Sequence, residues 1–255
     1  MLFRNLVATF EHDIGKLVPA VVTGVLAGTA CTIAELVRPA RPMPYRQVLL
    51  RDCVAFALYI AAIYPLAEMF AGMIGRHRPI HVFAPFWKLP FPVRMIIFYL
   101  VADLGSYLLH RFMHTRWFWR FHKWHHAPTY MYWFAGTRAS IFQQFLFNLP
   151  VVFALPIVAN APHWFPLFLS VELILRNDWM HMNVAWRSNW LEWIFVTPRY
   201  HAIHHSADPA HHGNYGSLFS IWDRIFGTRI DPDTVTPTQF GIGPNENPVR
   251  VILGV

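Results

Sequence analysis

Five stretches of the chain are apolar almost throughout: about Leu17 to Val37, Cys53 to Ile74, Val93 to Leu109, Ile141 to Ala159 and His163 to Leu175. A helix rises 1.5 Å per residue, so runs of roughly 17 to 25 apolar residues match the hydrocarbon core of a bilayer. The pattern predicts membrane helices over the first four. The fifth is short and pairs with its predecessor as a re-entrant hairpin, turning at the uncharged residues Asn160 to Pro162. Polar residues gather from about Arg111 to Arg138 and from Asp178 to Arg229, and these read as a cap outside the membrane. A Pro-rich, irregular tail follows. The expected fold is all-α: a multi-pass membrane helical bundle, one integral-membrane domain over residues 1–255, under a His-rich helical cap.

Composition strengthens this picture. Of the 255 residues, 55% are hydrophobic and only 14% charged, far from the balance of an ordinary soluble domain. The formal charge of +7 could point to nucleic acid, but the arginines are spread over connections that also carry Trp and Tyr, the arrangement of headgroup anchors. No nucleic-acid partner is expected. Arg38, Arg41, Arg46 and Arg51 crowd the first connection, and Arg111, Arg116, Arg120, Lys123 and Arg138 crowd the first part of the cap. By the positive-inside rule both face the cytoplasm, and the uncharged hairpin returns the chain to that face. Arg76, Arg78, Lys88 and Arg94 run against this rule; with Pro79, Pro85, Pro90, Pro92 and Trp87 they read as an interfacial loop. Cys31 and Cys53 lie in apolar segments and are expected to be small buried hydrophobes without a disulfide. Leu2 to Phe10 is too short for a cleavable signal and is interrupted by Glu11, His12 and Asp13, so none is expected.

The chemistry sits in the histidines. H-x-x-H-H occurs twice, as His122-Lys123-Trp124-His125-His126 and His201-Ala202-Ile203-His204-His205, and His110-Arg111-Phe112-Met113-His114 precedes the first copy. A shuffled chain with the same 15 histidines would contain roughly 0.05 copies of H-x-x-H-H. Residues three and four apart share a helix face, so each cluster can aim several imidazoles at one point. Eight imidazoles exceed what one tetrahedral ion accepts, which points to a two-metal centre. His12, His77, His81, His163, His211 and His212 lack the spacing and read as ordinary surface or core histidines.

Other residues fall where ligands need support. Asp103, Tyr107, His110 and His114 are spaced by four, three and four and line one helix face. A carboxylate inside an apolar segment is costly without a partner. Asp103 is therefore expected either to accept a hydrogen bond from a ligand His or to pair with a juxtamembrane Arg. His181 stands alone by spacing, with Asn177 four residues before it and Asn183 after it, and is a candidate ligand. Asp223 in Trp222-Asp223-Arg224 is a candidate orienting carboxylate, the alternative being a surface salt bridge.

Asp103 to His114, Trp119 to His126, Thr197 to Ser206, Asn214-Tyr215-Gly216 and Trp222 to Thr228 resemble the fatty acid hydroxylase superfamily, the integral-membrane sterol desaturases and lipid hydroxylases. The resemblance covers about residues 95–228, the expected catalytic region. It implies a diiron centre of two Fe ions held by His110, His114, His122, His125, His126, His181, His201, His204 and His205, activating O2 against a lipid C–H bond. His181 matches a family His between the two H-x-x-H-H motifs. Members with ten histidines carry H-x-x-x-H there, whereas this chain has Asn177; the position could ligate, hold a water or stay open. The family takes electrons from outside. No His-Pro-Gly-Gly haem signature and no G-x-G-x-x-G occurs, so a separate electron carrier or reductase is implied.

Trp117, Trp119, Trp124, Trp133, Trp186, Trp190 and Trp193 flank the His segments, as a lipid entry path or as membrane-belt anchors. Two other readings are a zinc-type membrane hydrolase, disfavoured because H-E-x-x-H and G-x-S-x-G are absent, and a metal-binding membrane protein without catalysis. Iron content with oxygen-dependent turnover separates the first reading from both.

Overall fold

The structure is a computed structural model that describes residues 22–77 and 80–243. Its long elements are α1 (Val22–Val37), α2 (Tyr45–Gly75), α3 (Phe91–Met113), α5 (Ile141–Val158) and α6 (Phe165–His181), with the short α4 (Trp119–His122) after α3. Helices α7 (Pro198–His204) and α8 (Ile221–Ile225) complete the cap. Among the described residues no strand forms beyond isolated bridges. Helices α2, α3 and α5 are each long and apolar enough to cross a membrane. Their outward side chains are bare: Leu50 is 76% exposed, Val54 63% and Ile96 59%. Water would not tolerate a belt of this size, whereas acyl chains cover it at no cost.

The observed helices outrun the apolar patterns that announced them. Helix α2 starts at Tyr45, eight residues before Cys53, and carries Asp52 inward because that carboxylate accepts from Arg138 Nε at 2.8 Å and from the Tyr132 hydroxyl. Within α2, Tyr59–Ile63 is a π-helical turn, and the half beyond it buries Ala67 and Ala71 against α5. Helix α3 opens with proline after Pro90, the position where a missing N–H is harmless. It passes so close to α5 that a Cβ on Gly105 would lie 2.9 Å from Pro150 Cβ. Phe98 and Ala102 of α3 meet Ala154, Ile157 and Val158 of α5 and Phe165 and Leu169 of α6 in the principal apolar core.

Helices α5 and α6 are joined by a turn through Asn160, which has a left-handed φ of 57°, but α5 alone is long and apolar enough to cross a membrane, so it is not the re-entrant arm expected. The basic loop that ran against the charge rule lies at this turn: Ile80–Lys88 packs on it, Trp87 Nε1 donates to Pro156 O at 2.8 Å, and Arg94 donates to Ala159 O at 2.6 Å. The far end of α3 carries His110, so about 28 Å of helix separates that turn from the histidines. Both cysteines are free; Cys31 is half-buried and Cys53 exposed on the apolar belt, so neither is the buried hydrophobe expected. Trp124 is a core residue, packed with Ala55 and Ile63, and lines no entry path, whereas Trp117, Trp190 and Trp193 stand exposed. The N-terminal segment and the part of the first apolar stretch before Val22 lie outside the described residues.

Candidate metal centre

Each cluster is aimed by a simple local device. Thr197 caps α7, accepting from Tyr200 N at 3.3 Å, and Pro198 follows at the first turn, so the helix starts at a fixed residue and presents His201, His204 and His205 in register. Arg199 on the outer face pairs with Glu192 at 2.6 Å. Ser140 caps α5 and donates to Phe121 O at 2.6 Å, tying α4 to that helix. His114 ends α3 one turn after His110.

The nine histidines named from the sequence converge in two groups. His110, His114, His122, His126 and His204 form one, and His125, His181, His201 and His205 the other; within each, one ring nitrogen per residue lies within 4.8 Å of the rest. Each H-x-x-H-H motif gives its outer pair to one group and its middle His to the other. His126 and His205 stack at 4.3 Å between ring centroids, so the groups adjoin. Trp119 packs against His114 and His126 at 5.1 Å each. Of the remaining histidines, His211 bonds Ser206 Oγ at 2.7 Å and His212 lies 6.3 Å from His114, both outside the groups; His12 lies outside the described residues.

The ring nitrogens face each other with the spacing of ligands round a common ion. His110 Nε2 is 3.0 Å from His122 Nε2, which is 3.1 Å from His126 Nε2; His201 Nε2 is 3.2 Å from His181 Nε2 and 3.0 Å from His205 Nε2. Imidazoles bound at about 2.0–2.1 Å would sit roughly 2.9–3.4 Å apart. Four rings have the other nitrogen committed to a backbone carbonyl: His110 Nδ1 to Tyr215 O at 2.8 Å, His125 to Arg138 O at 3.0 Å, His181 to Asn177 O at 2.7 Å and His204 to Gly213 O at 2.9 Å. A carbonyl only accepts, so each of these Nδ1 atoms carries the proton and each Nε2 a lone pair. His125 Nε2 and His181 Nε2 then face lone pair to lone pair at 3.3 Å. His204 Nε2 is buried with no hydrogen-bond partner.

Protonation cannot relieve these contacts near neutral pH. Burial disfavours the charged ring and pushes His125 down to about 4, and His122, His126, His201, His204 and His205 well below the usual histidine range. Neighbouring histidines add to the effect in the last five. A buried set of neutral nitrogens with converging lone pairs is the donor set of a borderline transition-metal ion.

The expected supporting residues act on the centre in different ways. Asp103 touches no histidine. Its oxygens accept from Leu218 N at 2.8 Å, Phe219 N at 2.9 Å and Trp222 Nε1 at 3.0 Å, and Arg176 lies 3.7 Å away, so it pins the cap to α3. Helical spacing fixed its face but not its partner. Tyr107 also turns from the rings, bonding Thr228 Oγ1 at 2.7 Å and stacking on Phe226. Asp223 is fully buried, which removes the surface salt bridge; it accepts from Tyr215 N and Gly216 N, both at 2.8 Å, and so holds the peptide whose carbonyl orients His110. Asn177 supplies its carbonyl to His181 and stands one turn before it, as His110 stands before His114.

Sequence reasoning missed Gly136. A Cβ there would fall 2.4 Å from His181 Nδ1, so only glycine lets the turn Trp133–Thr137 lie flat on that imidazole. No spacing rule flags a lone glycine between Ala135 and Thr137.

Residues 95–228 match the family model described as fatty acid hydroxylase, and all nine histidines fall within that range. The chain belongs to the fatty acid hydroxylase family. Among curated proteins it is 30% identical over 199 residues to an ornithine lipid hydroxylase of Rhizobium tropici, covering 76% of this chain and 59% of the relative. It is 33% identical over 135 residues to the alkylglycerol monooxygenase of Danio rerio, 51% of this chain and 29% of that one. With methylsterol monooxygenase 1-3 of Arabidopsis thaliana it shares 25% identity over 139 residues, 53% of this chain and 47% of the other. The chain thus spans between about a third and three-fifths of these relatives. No solved structure matches it.

Proposed function

We propose that this family member is a membrane-embedded non-haem diiron oxygenase that hydroxylates, or desaturates, a lipid C–H bond with O2 and electrons from a separate carrier or reductase. The observation that carries the reading is the His125–His181 pair: two neutral imidazoles, each with Nδ1 bound to a carbonyl, set lone pair to lone pair at 3.3 Å inside a His cage. That geometry suits a shared cation. His110, His114, His122, His126 and His204 would hold one ion, and His125, His181, His201 and His205 the other. The relatives' names, lipid hydroxylase and monooxygenase, favour a redox metal over a hydrolytic one. When bound, two irons would supply the redox chemistry that consumes O2, two electrons and two protons and leaves one oxygen atom on the lipid and the other in water for hydroxylation, or both in water for desaturation.

The protein's own part is positional. Backbone carbonyls would hold four of the nine Nε2 atoms, those of His110, His125, His181 and His204, toward the ions, and burial keeps the rings neutral and available. Three apolar helices place the substrate's solvent, the bilayer, beside the cap, and a lipid would enter sideways. The basic stretch Arg111 to Arg138 supports a cap on the cytoplasmic side, where reductants are supplied.

Protein purified without chelators should contain two irons per chain and turn over lipid only with O2 and a reductant. His122→Ala with His201→Ala should abolish both binding and turnover, while His163→Ala should not. One ion per chain with full activity, or turnover without O2, would overturn the reading.

A further inference from the structure

The two groups differ in what supports them. The first is held from inside the family region: Tyr215 O and Gly213 O orient His110 and His204, and Asp223 and Asn214 fix that loop. The second depends on two buried carboxylates that lie before residue 95, in α1 and α2. Glu35 is 1% exposed, and its Oε1 accepts from Trp133 N at 2.8 Å and from Asn183 N at 2.7 Å. Those two amides belong to the segments on either side of His181: the turn Trp133–Thr137, whose Gly136 lies against the imidazole, and the chain two residues beyond it. Tyr45 OH donates to the other oxygen at 2.6 Å. Residues 38–41 extend the clamp, with Ala40 N donating to Asn183 O at 3.1 Å and Ala185 N to Arg38 O at 2.8 Å.

Asp52, also 1% exposed, accepts from Arg138, whose carbonyl takes the His125 Nδ1 proton. Tyr132 OH reaches the same carboxylate. Each acid therefore acts on one of the facing pair, Glu35 on His181 and Asp52 on His125. Neither makes a contact that would draw it to the first group.

The geometry points to Glu35 and Asp52 as positioning residues of the second metal site: α1 and α2 complete a centre whose ligands all lie in the family region. The inference rests on the two-metal reading above. Three segments meet at one carboxylate oxygen because a charged acceptor serves two backbone N–H donors better than a neutral one. Loss of such support around a ligand typically lowers metal affinity about 10–100-fold.

The test is metal stoichiometry and affinity in the full-length protein, by elemental analysis and by Fe2+ titration of chelator-stripped protein against a competing chelator. Wild-type protein must take two ions, or the underlying reading fails first. Glu35→Ala and Asp52→Asn should then each retain one tight ion and weaken the other about 10–100-fold. Glu35→Gln, which keeps shape and an acceptor oxygen, should lie between them and wild type and decides the matter if Glu35→Ala does not fold. A purely structural role predicts loss of both ions together on unfolding. Two tight ions in all three variants, or equal weakening of both sites in the folded Gln variant, would overturn the inference.

Discussion

Gly136→Ala is the sharpest test of how the second His group is built. The new Cβ would sit 2.4 Å from His181 Nδ1 and 2.8 Å from both Cγ and Cε1. Unstrained heavy-atom contacts need about 3.5 Å, so the ring or the turn must move by about 1 Å. Ligand distances in metal sites tolerate only about 0.2 Å, and the ring cannot shift that far without also leaving Asn177 O, 2.7 Å from its Nδ1. Overpacking of this kind costs about 1–3 kcal/mol of stability. The expected outcome is a folded protein with one of two ions weakened at least about tenfold and turnover lost in proportion. Gly72→Ala in α2 is the control, because nothing lies within 4 Å of the added methyl, and it should leave metal content unchanged. Iron per chain and lipid turnover, measured on both variants in detergent, decide the matter. Two tightly held ions and full activity in Gly136→Ala would refute the packing argument.

Further outcomes follow from other contacts. Asp103→Asn should destabilise the cap by about 1–3 kcal/mol in thermal unfolding while leaving Fe2+ affinity of the folded protein near wild type, since its oxygens serve Leu218, Phe219 and Trp222 and no histidine; selective metal loss would restore it as a ligand partner. His125, at about 4 when folded, has a pKa near 6.5 when unfolded, so below that value the unfolded chain binds protons that the folded site refuses. Metal-free protein should therefore keep its full stability above pH 6.5 and lose it progressively toward pH 4, seen as a falling unfolding midpoint; a flat profile would contradict the burial. A cysteine at the exposed Ala210 should resist a membrane-impermeant thiol reagent in intact cells and label after lysis, and labelling in sealed cells would invert the cytoplasmic orientation.

Much of the bundle was legible because apolar run length and the uncharged turn at Asn160 are properties of the chain alone. The convergence of eight histidines was legible from spacing for the same reason, whereas His181, alone by spacing, was marked by the family resemblance. What spacing does not carry is partner identity. His125 joins the second group although its neighbours His122 and His126 join the first, a choice made by the placement of α6 and α7. Asp103 was given a histidine or an arginine as partner, and the backbone amides of Leu218 and Phe219 were missed, because its face was known and its loop was not. The carbonyls of Tyr215, Arg138, Asn177 and Gly213 leave no trace in side-chain identity. Glu35 and Asp52 did leave one: each is an acid in or beside an apolar stretch, and the argument that singled out Asp103 applies equally to them.

The π-helical turn Tyr59–Ile63 in α2 gives that helix two independent phases. Above it, Asp52 points at Arg138; below it, Ala67 and Ala71 point at α5. An unbroken α-helix over the same length would advance about 100° per residue with no slack, so removing one residue from the turn would swing one half about a quarter-turn against the other. The half packed on α5 is gripped there and would stay. The swing would fall on Asp52, and an indel in greasy sequence that contributes no ligand would be read out at the candidate metal centre as a misaimed His125.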